Sequence, residues 1–253
     1  MTRSTVIFLV PGFFAWLPNR LGYNYFAMNR SEIFNLQVLT IIPAYNEEAG
    51  ISGVLAGVRA HLPALVVDDG SSDDTAGVAE GAGASVLRRV PNQGKGAALK
   101  AGFRWALEQG YSAALTLDAD GQHDPAEIPK FLTTCREKGA DLVIGQRDFS
   151  HMPPARRLAN WLGRISFSWA VGTAIPDNQS GYRLISQRLM EAMLESRESG
   201  FEYEVEMITI CLRRGFVLAW VPIRTIYAGE TSHIRPWQHV KNFLRILRKT
   251  RWG

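Results

Sequence analysis

A chain of 253 residues with 46% hydrophobic and 21% charged side chains has an ordinary globular composition, which predicts a folded protein with a sizeable core. The formal net charge of +4 is only mildly basic, and we expect no nucleic-acid partner. Cys135 and Cys211 lie far apart without the spacing of a zinc site, which predicts reduced thiols in a cytosolic protein.

The first 36 residues differ from the rest of the chain. Their apolar run VIFLVPGFFAWLP is interrupted at residues 11 and 12 and is shorter than the roughly 20 residues that a membrane-spanning helix needs. We therefore predict that residues 1–36 form an extension, either poorly ordered or touching a membrane, ahead of a domain at 37–235.

From residue 38 onward, short apolar strands alternate with helices. The predicted strands are VLTIIP (38–43), the start of ALVVDDGSSDDT (64–75), ASVLRRV (84–90), AALTL (113–117) and DLVIGQR (141–147). The predicted helices cover 46–62, with Asn46 as a plausible N-cap, then 74–82, 95–109 and 125–138. This alternation indicates an α/β fold with a mostly parallel sheet and helices on both faces.

After residue 150 the alternation of strands and helices becomes less regular. No linker-like stretch separates the two halves of the chain, so we predict one domain. A long helix at 153–172, a strand at 179–186, two helices within 187–213 and a final strand pair in FVLAWVPIRTIY (216–227) are expected. The tail 236–253 predicts a basic amphipathic helix. Its apolar side either lies on an anionic membrane surface or packs on the domain.

Acidic residues follow two of the apolar strands. Asp118 and Asp120, with the small Ala119 between them, end a buried strand, and their hard oxygen ligands suit Mg²⁺ or Mn²⁺. The alternative is that such residues form turns or cap the next helix, as we expect for Asp124.

A second acidic pair, Asp68 and Asp69, precedes a helix that Ser72 or Asp73 caps, and it can accept hydrogen bonds from a nucleobase or a ribose.

Lys95 lies between glycines at a helix start, where an anion is favoured. The residues after this lysine do not follow the phosphate-binding loop motif, so the signal is weak by itself.

Several motifs in order resemble the family-two inverting glycosyltransferases with the GT-A fold. They are IPAYNEE, VVDDGSSDDT, NQGKGAALKAG and LDADGQHDP. GQRD, PPARRL, SGYR and GETSHIRP narrow the resemblance to the dolichyl- or polyprenyl-phosphate sugar synthases, over residues 38 to about 248.

The resemblance implies a nucleotide-sugar donor and a divalent cation. The nucleotide-binding residues it implies are Pro43, Ala44, Tyr45, Glu47, Asp68, Asp69, Lys95 and Ala119. Asp118 and Asp120 become the catalytic residues, and together with Gln122 they become the ligands of Mg²⁺ or Mn²⁺. Such an ion stabilises the charge that develops on the departing nucleotide.

The resemblance also implies a polyprenyl-phosphate acceptor, and hence a cytoplasmic enzyme held peripherally at the inner face of the membrane. Arg147 and Arg156 match positions that bind the lipid phosphate, with Ser180 as a further donor. Arg235, like His233, matches a basic C-terminal segment. Outside the resemblance, each arginine is more simply a solvated surface charge. Arg183 departs from the family pattern, and we assign it no catalytic part.

Other functions stay open at this point. A glycosyltransferase acting on a saccharide or cell-envelope acceptor would need a carboxylate base, and Glu202, Glu204 and Asp177 are candidates. A nucleotidyltransferase would share the sheet but needs a glycine-rich basic loop after the first strand. A non-catalytic, membrane-associated binding module is the third alternative.

Overall fold

The computed structural model describes residues 36–148, 154–198, 200, 202–224 and 226. The strands are β1 (Val38–Ala44), β2 (Ala64–Asp68), β3 (Ser85–Arg88), β4 (Ala113–Thr116), β5 (Leu142–Arg147), β6 (Arg183–Ser186) and β7 (Leu218–Ile223). The helices are α1 (Ile51–Arg59), α2 (Thr75–Gly81), α3 (Lys95–Glu108), α4 (Ile128–Lys138), α5 (Pro154–Val171), α6 (Gln187–Leu194) and α7 (Glu202–Arg213). A 3-10 turn at Pro125–Glu127 precedes α4.

All seven strands form one sheet in the order β3-β2-β1-β4-β6-β5-β7. Only β6 runs against the others: it pairs antiparallel with β4 and β5, while β5 and β7 pair parallel. The predicted mostly parallel α/β domain is confirmed. The expected final strand pair is wrong for the described residues, where the region supplies the single strand β7 at the edge of the sheet.

Two apolar layers cover the sheet because successive strand residues point to opposite faces. Ile42 and Val66 pack with α1, α2 and α4, whereas Ile41 and Val67 face α3 and the later helices. The near-continuous apolar strands that sequence analysis detected are therefore strands buried on both faces.

Two predicted helix starts need correction. The first helix begins at Ile51 and its N-cap position is Gly50, so Asn46 is not its cap. Asn46 instead adopts a left-handed φ of 57° in the turn after β1. α2 begins at Thr75, and its N-cap position is Asp74, so neither Ser72 nor Asp73 occupies that position. The Asp73 carboxylate still accepts a hydrogen bond from the Thr75 amide, 3.1 Å away.

Both cysteines are free and buried, in agreement with the predicted reduced thiols. Among the helices of the described ranges, none has the length and apolar character needed to cross a bilayer. The predicted extension, apart from residue 36, and the predicted basic helix at 236–253 lie outside the described residues.

Candidate active site

The carboxyl ends of β1, β2, β4 and β5 open on the same edge of the sheet, because these strands run in the same direction. Ligands of open α/β sheets bind at such an edge. The turn residues after β1 and β2, the acids after β4 and Arg147 at the end of β5 therefore share one rim.

The turn after β1 is joined to the turn after β2 by hydrogen bonds. The Asn46 amide donates to Ser71 Oγ at 2.9 Å, and Asn46 Oδ1 accepts from the Ser72 amide at 2.8 Å. The Glu47 amide donates to Thr75 Oγ1 at 2.8 Å. Tyr45 is half exposed at this turn. Hydrogen bonds thus join the two turns predicted to hold the nucleotide, and Pro43 and Ala44 end β1.

The two acids at the end of β2, Asp68 and Asp69, are buried and hydrogen-bonded to nearby loops. Asp68 Oδ1 accepts from the Ser71 amide at 3.0 Å. Asp69 pairs with Arg89 at 2.8 Å and accepts from the amides of Gln93 and Gly94 at 3.0 and 2.7 Å. Asp69 therefore shapes the loop that leads to Lys95, and contact of either acid with a base stays a prediction.

Lys95, the first residue of α3, lies between two carboxylates. Its Nζ is 2.5 Å from Asp118 Oδ1 and 3.0 Å from Glu204 Oε1. Burial alone would lower the pKa of Lys95, but the charges of Asp118 and Glu204 raise it well above its usual value. The lysine is therefore a permanent cation at the end of β4.

The acids after β4 differ in their electrostatics. Burial opposes ionisation of Asp118, yet the adjacent charge of Lys95 lowers its pKa to about 2. Burial, and then the charge of Asp118, raise the pKa of Asp120, whose carboxylate accepts from the Gln122 amide at 2.9 Å. Two carboxylates that repel each other in this way suit a bound cation.

His123 lies beneath this acidic loop. Its Nδ1 accepts from the Asp118 amide at 3.1 Å, and burial lowers the pKa of the imidazole. The ring is therefore neutral and packs 5.1 Å from the Tyr182 ring. Asp124 caps the next turn through the Ala126 amide, 3.0 Å away, as predicted.

The residues at the end of β4 fit a divalent ion with open positions. Across the described part of the chain, no three His, Cys, Asp or Glu side chains form a metal cage. The predicted set, Asp118, Asp120 and Gln122, holds only two carboxylates, so the other ligands of an ion would be water or substrate. Hard oxygen donors of this kind suit Mg²⁺ or Mn²⁺.

Arg147 is held by a buried acid. Its Nε and Nη2 donate to Asp177 at 2.7 and 3.0 Å, and the same carboxylate accepts from the amides of Gln179 and Ser180 at 3.0 and 3.2 Å. Arg147 is thus not a simple solvated charge. The burial of Asp177 and these hydrogen bonds argue against its predicted role as a candidate base, which stays a prediction.

The other residues predicted to bind the acceptor phosphate are only partly within the described structure. Ser180 is fully buried beside Arg147, and its Oγ has no hydrogen-bond partner among the described residues. Arg156 lies on α5, but its side chain is outside the described structure. Arg235 and His233 also lie outside it.

Three residues of the site were missed or undervalued by sequence analysis. Arg183, buried in β6, donates to the carbonyl oxygens of Ser180 and Glu204 at 2.7 and 2.5 Å and so supports the loop beside Arg147. Burial lowers the pKa of Arg183. Glu204, considered only as a base, is the second partner of Lys95. A Cβ on Gly181 would lie 2.8 Å from Asp118 Oδ2 and 2.9 Å from Lys95 Nζ, so glycine permits their close approach.

The fold and the strand-end acids agree with a known family. Residues 40–193 match the family model of glycosyl transferase family 2, and the chain belongs to that family. It is a glycosyltransferase, and its relatives define the subgroup more closely.

The undecaprenyl-phosphate mannosyltransferase of Micrococcus luteus is 36% identical over 233 residues, which cover 86% of this chain and 94% of that protein. The polyprenol monophosphomannose synthase of Mycolicibacterium smegmatis is 32% identical, over 74% of this chain and 76% of that protein. The chain is thus similar to polyprenyl-phosphate sugar synthases.

A solved structure shares the fold. Glucosyl-3-phosphoglycerate synthase from Mycobacterium tuberculosis, in complex with Mn²⁺, uridine diphosphate and glucosyl-3-phosphoglycerate, superposes with a TM-score of 0.66 at 21% identity. The match covers 93% of this chain and 85% of that one. It confirms the expected GT-A fold.

Proposed function

We propose that the protein transfers a sugar from a nucleoside diphosphate sugar, with uracil or guanine as the base, to a polyprenyl phosphate, with inversion and with Mg²⁺ or Mn²⁺ bound. The observation that carries this proposal is the similarity to the Micrococcus luteus undecaprenyl-phosphate mannosyltransferase along 94% of its length. The acceptor lipid resides in a bilayer, so the enzyme would work peripherally at the cytoplasmic face of the membrane.

On the donor side, Asp118 and Asp120 would hold the cation, with Gln122 beside them. The cation would neutralise the charge that develops on the departing diphosphate. Lys95 supports this role because it keeps Asp118 ionised and orients one carboxylate oxygen. The joined turns after β1 and β2 would hold the nucleoside, with Tyr45 and Glu47 on the first turn.

On the acceptor side, a phosphate oxygen would attack the anomeric carbon of the sugar as the bond to the diphosphate breaks and its electron pair leaves with the nucleotide. A phosphate is already ionised at neutral pH, so positioning and charge neutralisation are sufficient. Arg147 and Ser180 would bind it, with Arg156 and Arg235 as further proposed contacts. Asp177 is paired with Arg147, and Glu204 is paired with Lys95. A sugar hydroxyl would need a carboxylate base, and neither of these acids is available for that role. Their ion pairs therefore support a phosphate acceptor.

The test is transfer by the purified full-length protein from a panel of UDP- and GDP-sugars, with Mg²⁺ or Mn²⁺, to a short polyprenyl phosphate or to a free saccharide. Glycolipid detected by mass spectrometry, and absent in EDTA, is the expected result. Transfer only to the saccharide would contradict the proposal and favour the saccharide or cell-envelope acceptor, with Glu202 as the remaining candidate base.

A further inference from the structure

The outer face of α5 carries four large apolar side chains that are about half exposed. The exposed fractions are 48% for Trp161, 51% for Leu162, 47% for Ile165 and 58% for Trp169. We call these four residues the α5 apolar face. Positions 161, 165 and 169 are four residues apart, so they lie along one side of the helix, with Leu162 beside them.

The opposite side of α5 already packs on the domain. Phe167 is fully buried in the core, and Ala170 is buried next to it. The apolar face is therefore additional to the side that folding requires. Single exposed apolar residues are common, but a contiguous set with two tryptophans on one helix marks an interaction surface.

The chemistry of the helix favours a lipid surface over a protein. Indole rings are enriched where an apolar interior meets polar headgroups. Residues Pro154–Val171 include three arginines, Arg156, Arg157 and Arg164, and no acid. Arg157 is exposed and precedes Trp161 by one helical turn, so a positive charge borders the apolar face. A second copy of this helix would bring like charges together, whereas anionic headgroups complement them.

The position of α5 agrees with this partner. The helix begins shortly after Arg147, which ends β5 at the rim of the site. A bilayer against α5 would therefore meet the element that follows Arg147 in the chain. The relation of α5 to the acceptor site rests on the proposed function. The exposure and the charge of α5 do not depend on it.

We propose that the α5 apolar face docks on an anionic bilayer and that the indoles of Trp161 and Trp169 insert at the headgroup level. Cosedimentation of the full-length protein with phosphatidylglycerol–phosphatidylcholine vesicles tests this surface. Trp161→Ser combined with Trp169→Ser should lower the partition coefficient by at least about tenfold. Leu162→Gln with Ile165→Gln is the second variant, in case the first does not fold.

Two matched controls separate docking through α5 from nonspecific adsorption to vesicles. Val90→Ser removes an apolar side chain that is 88% exposed between β3 and α3, and binding should stay within about twofold. Arg157→Gln should weaken binding only when phosphatidylglycerol is present, whereas Arg104→Gln on α3 should not. Circular dichroism and an unchanged Tm verify that each variant is folded.

Three outcomes would overturn the proposal. The first is wild-type protein that does not bind the vesicles. The second is binding unchanged in both double variants but lost on deletion of residues 237–253, which would make the C-terminal helix the anchor. The third is a change of oligomeric state with unchanged vesicle binding, which would make a second copy the partner.

Failure of this proposal is distinguishable from failure of the proposed function. Vesicle binding needs no turnover, and transfer to a short, water-soluble polyprenyl phosphate can be measured in the same variants. Lost vesicle binding with retained transfer to the soluble acceptor supports α5 docking. Vesicle binding through α5 without transfer to any polyprenyl phosphate supports docking and contradicts the proposed function.

Discussion

Lys95 Nζ lies 2.5 Å from Asp118 Oδ1, at the point where the start of α3 meets the end of β4. Glu204 completes the contact from α7, 3.0 Å from the same ammonium. The lysine therefore connects three elements and lies between two acids, one of which, Asp118, is a proposed ligand of the cation.

Replacing Lys95 by Met should both destabilise the fold and abolish transfer. The change leaves Asp118 and Glu204 as uncompensated, largely buried carboxylates, at a cost of about 3 kcal/mol in free energy of unfolding. Urea unfolding followed by circular dichroism measures this cost. The matched control is Arg88→Met, because Arg88 pairs with Glu80 at 3.0 Å with both side chains more than half exposed, and its loss should cost less than about 1 kcal/mol. Equal losses in the two variants would refute the buried-pair interpretation.

Asp120→Ala should abolish metal-dependent transfer without weakening the fold. Because burial and the charge of Asp118 raise the pKa of Asp120, its ionised form is less stable in the folded state than in the unfolded state. Removing that carboxylate should leave the free energy of unfolding unchanged or slightly higher. Glu137→Ala, on an exposed site near the end of α4, should keep full activity. Wild-type turnover in Asp120→Ala, or in EDTA, would contradict the proposed role.

Arg147→Ala should affect the acceptor far more than the donor. Loss of a charge-assisted contact to phosphate should raise the acceptor KM by at least about tenfold, with the donor KM within about twofold. Steady-state kinetics with each substrate varied in turn measures both constants. Arg214→Ala removes an exposed ion pair with Glu195, 2.7 Å long, and should change neither constant. Equal increases in both constants would mean that Arg147 acts through the fold and not on the acceptor.

Gly181→Ala should lower kcat by displacing the Lys95–Asp118 pair. The new methyl group would lie 2.8 Å from Asp118 Oδ2, closer than a carbon atom tolerates. Gly53→Ala is the control, because a Cβ there meets no atom within 4 Å and α1 should gain roughly 0.5–1 kcal/mol in stability. A Gly181→Ala enzyme with wild-type kcat would show that the pair adapts without consequence.

Neither cysteine should react with iodoacetamide in the native protein at pH 8. Burial raises the pKa of Cys135 to about 11, so roughly one thiol in a thousand is ionised at that pH, and burial raises the pKa of Cys211 as well. Mass spectrometry should detect no added label before denaturation and two labels afterwards. Rapid labelling of the folded chain would show that the core around α4 or α7 opens easily.

The joined turns illustrate how far local sequence patterns lead and where they stop. The ends of β1 and β2, at Ala44 and Asp68, are predictable to within a residue, because an apolar run followed by polar turn residues is a local signal. That Asn46 bonds to Ser71 and Ser72, and so does not cap α1, depends on two strands lying side by side. The local tendency of Asn46 to cap a helix is thus overridden by its hydrogen bonds to the turn after β2.

By itself, the sequence determined the alternation of buried strands and helices, the mostly parallel sheet and the shared rim for the strand-end acids. These features are local, because side-chain periodicity and turn chemistry act over a few residues. Only the tertiary structure decided that Lys95 pairs with Glu204, that Asp177 holds Arg147 and that Arg183 is buried. These residues come from distant parts of the chain, and packing of the helices against the sheet brings them together. At such short separations, in surroundings of low dielectric constant, the charges must be paired, and no local spacing specifies the partner.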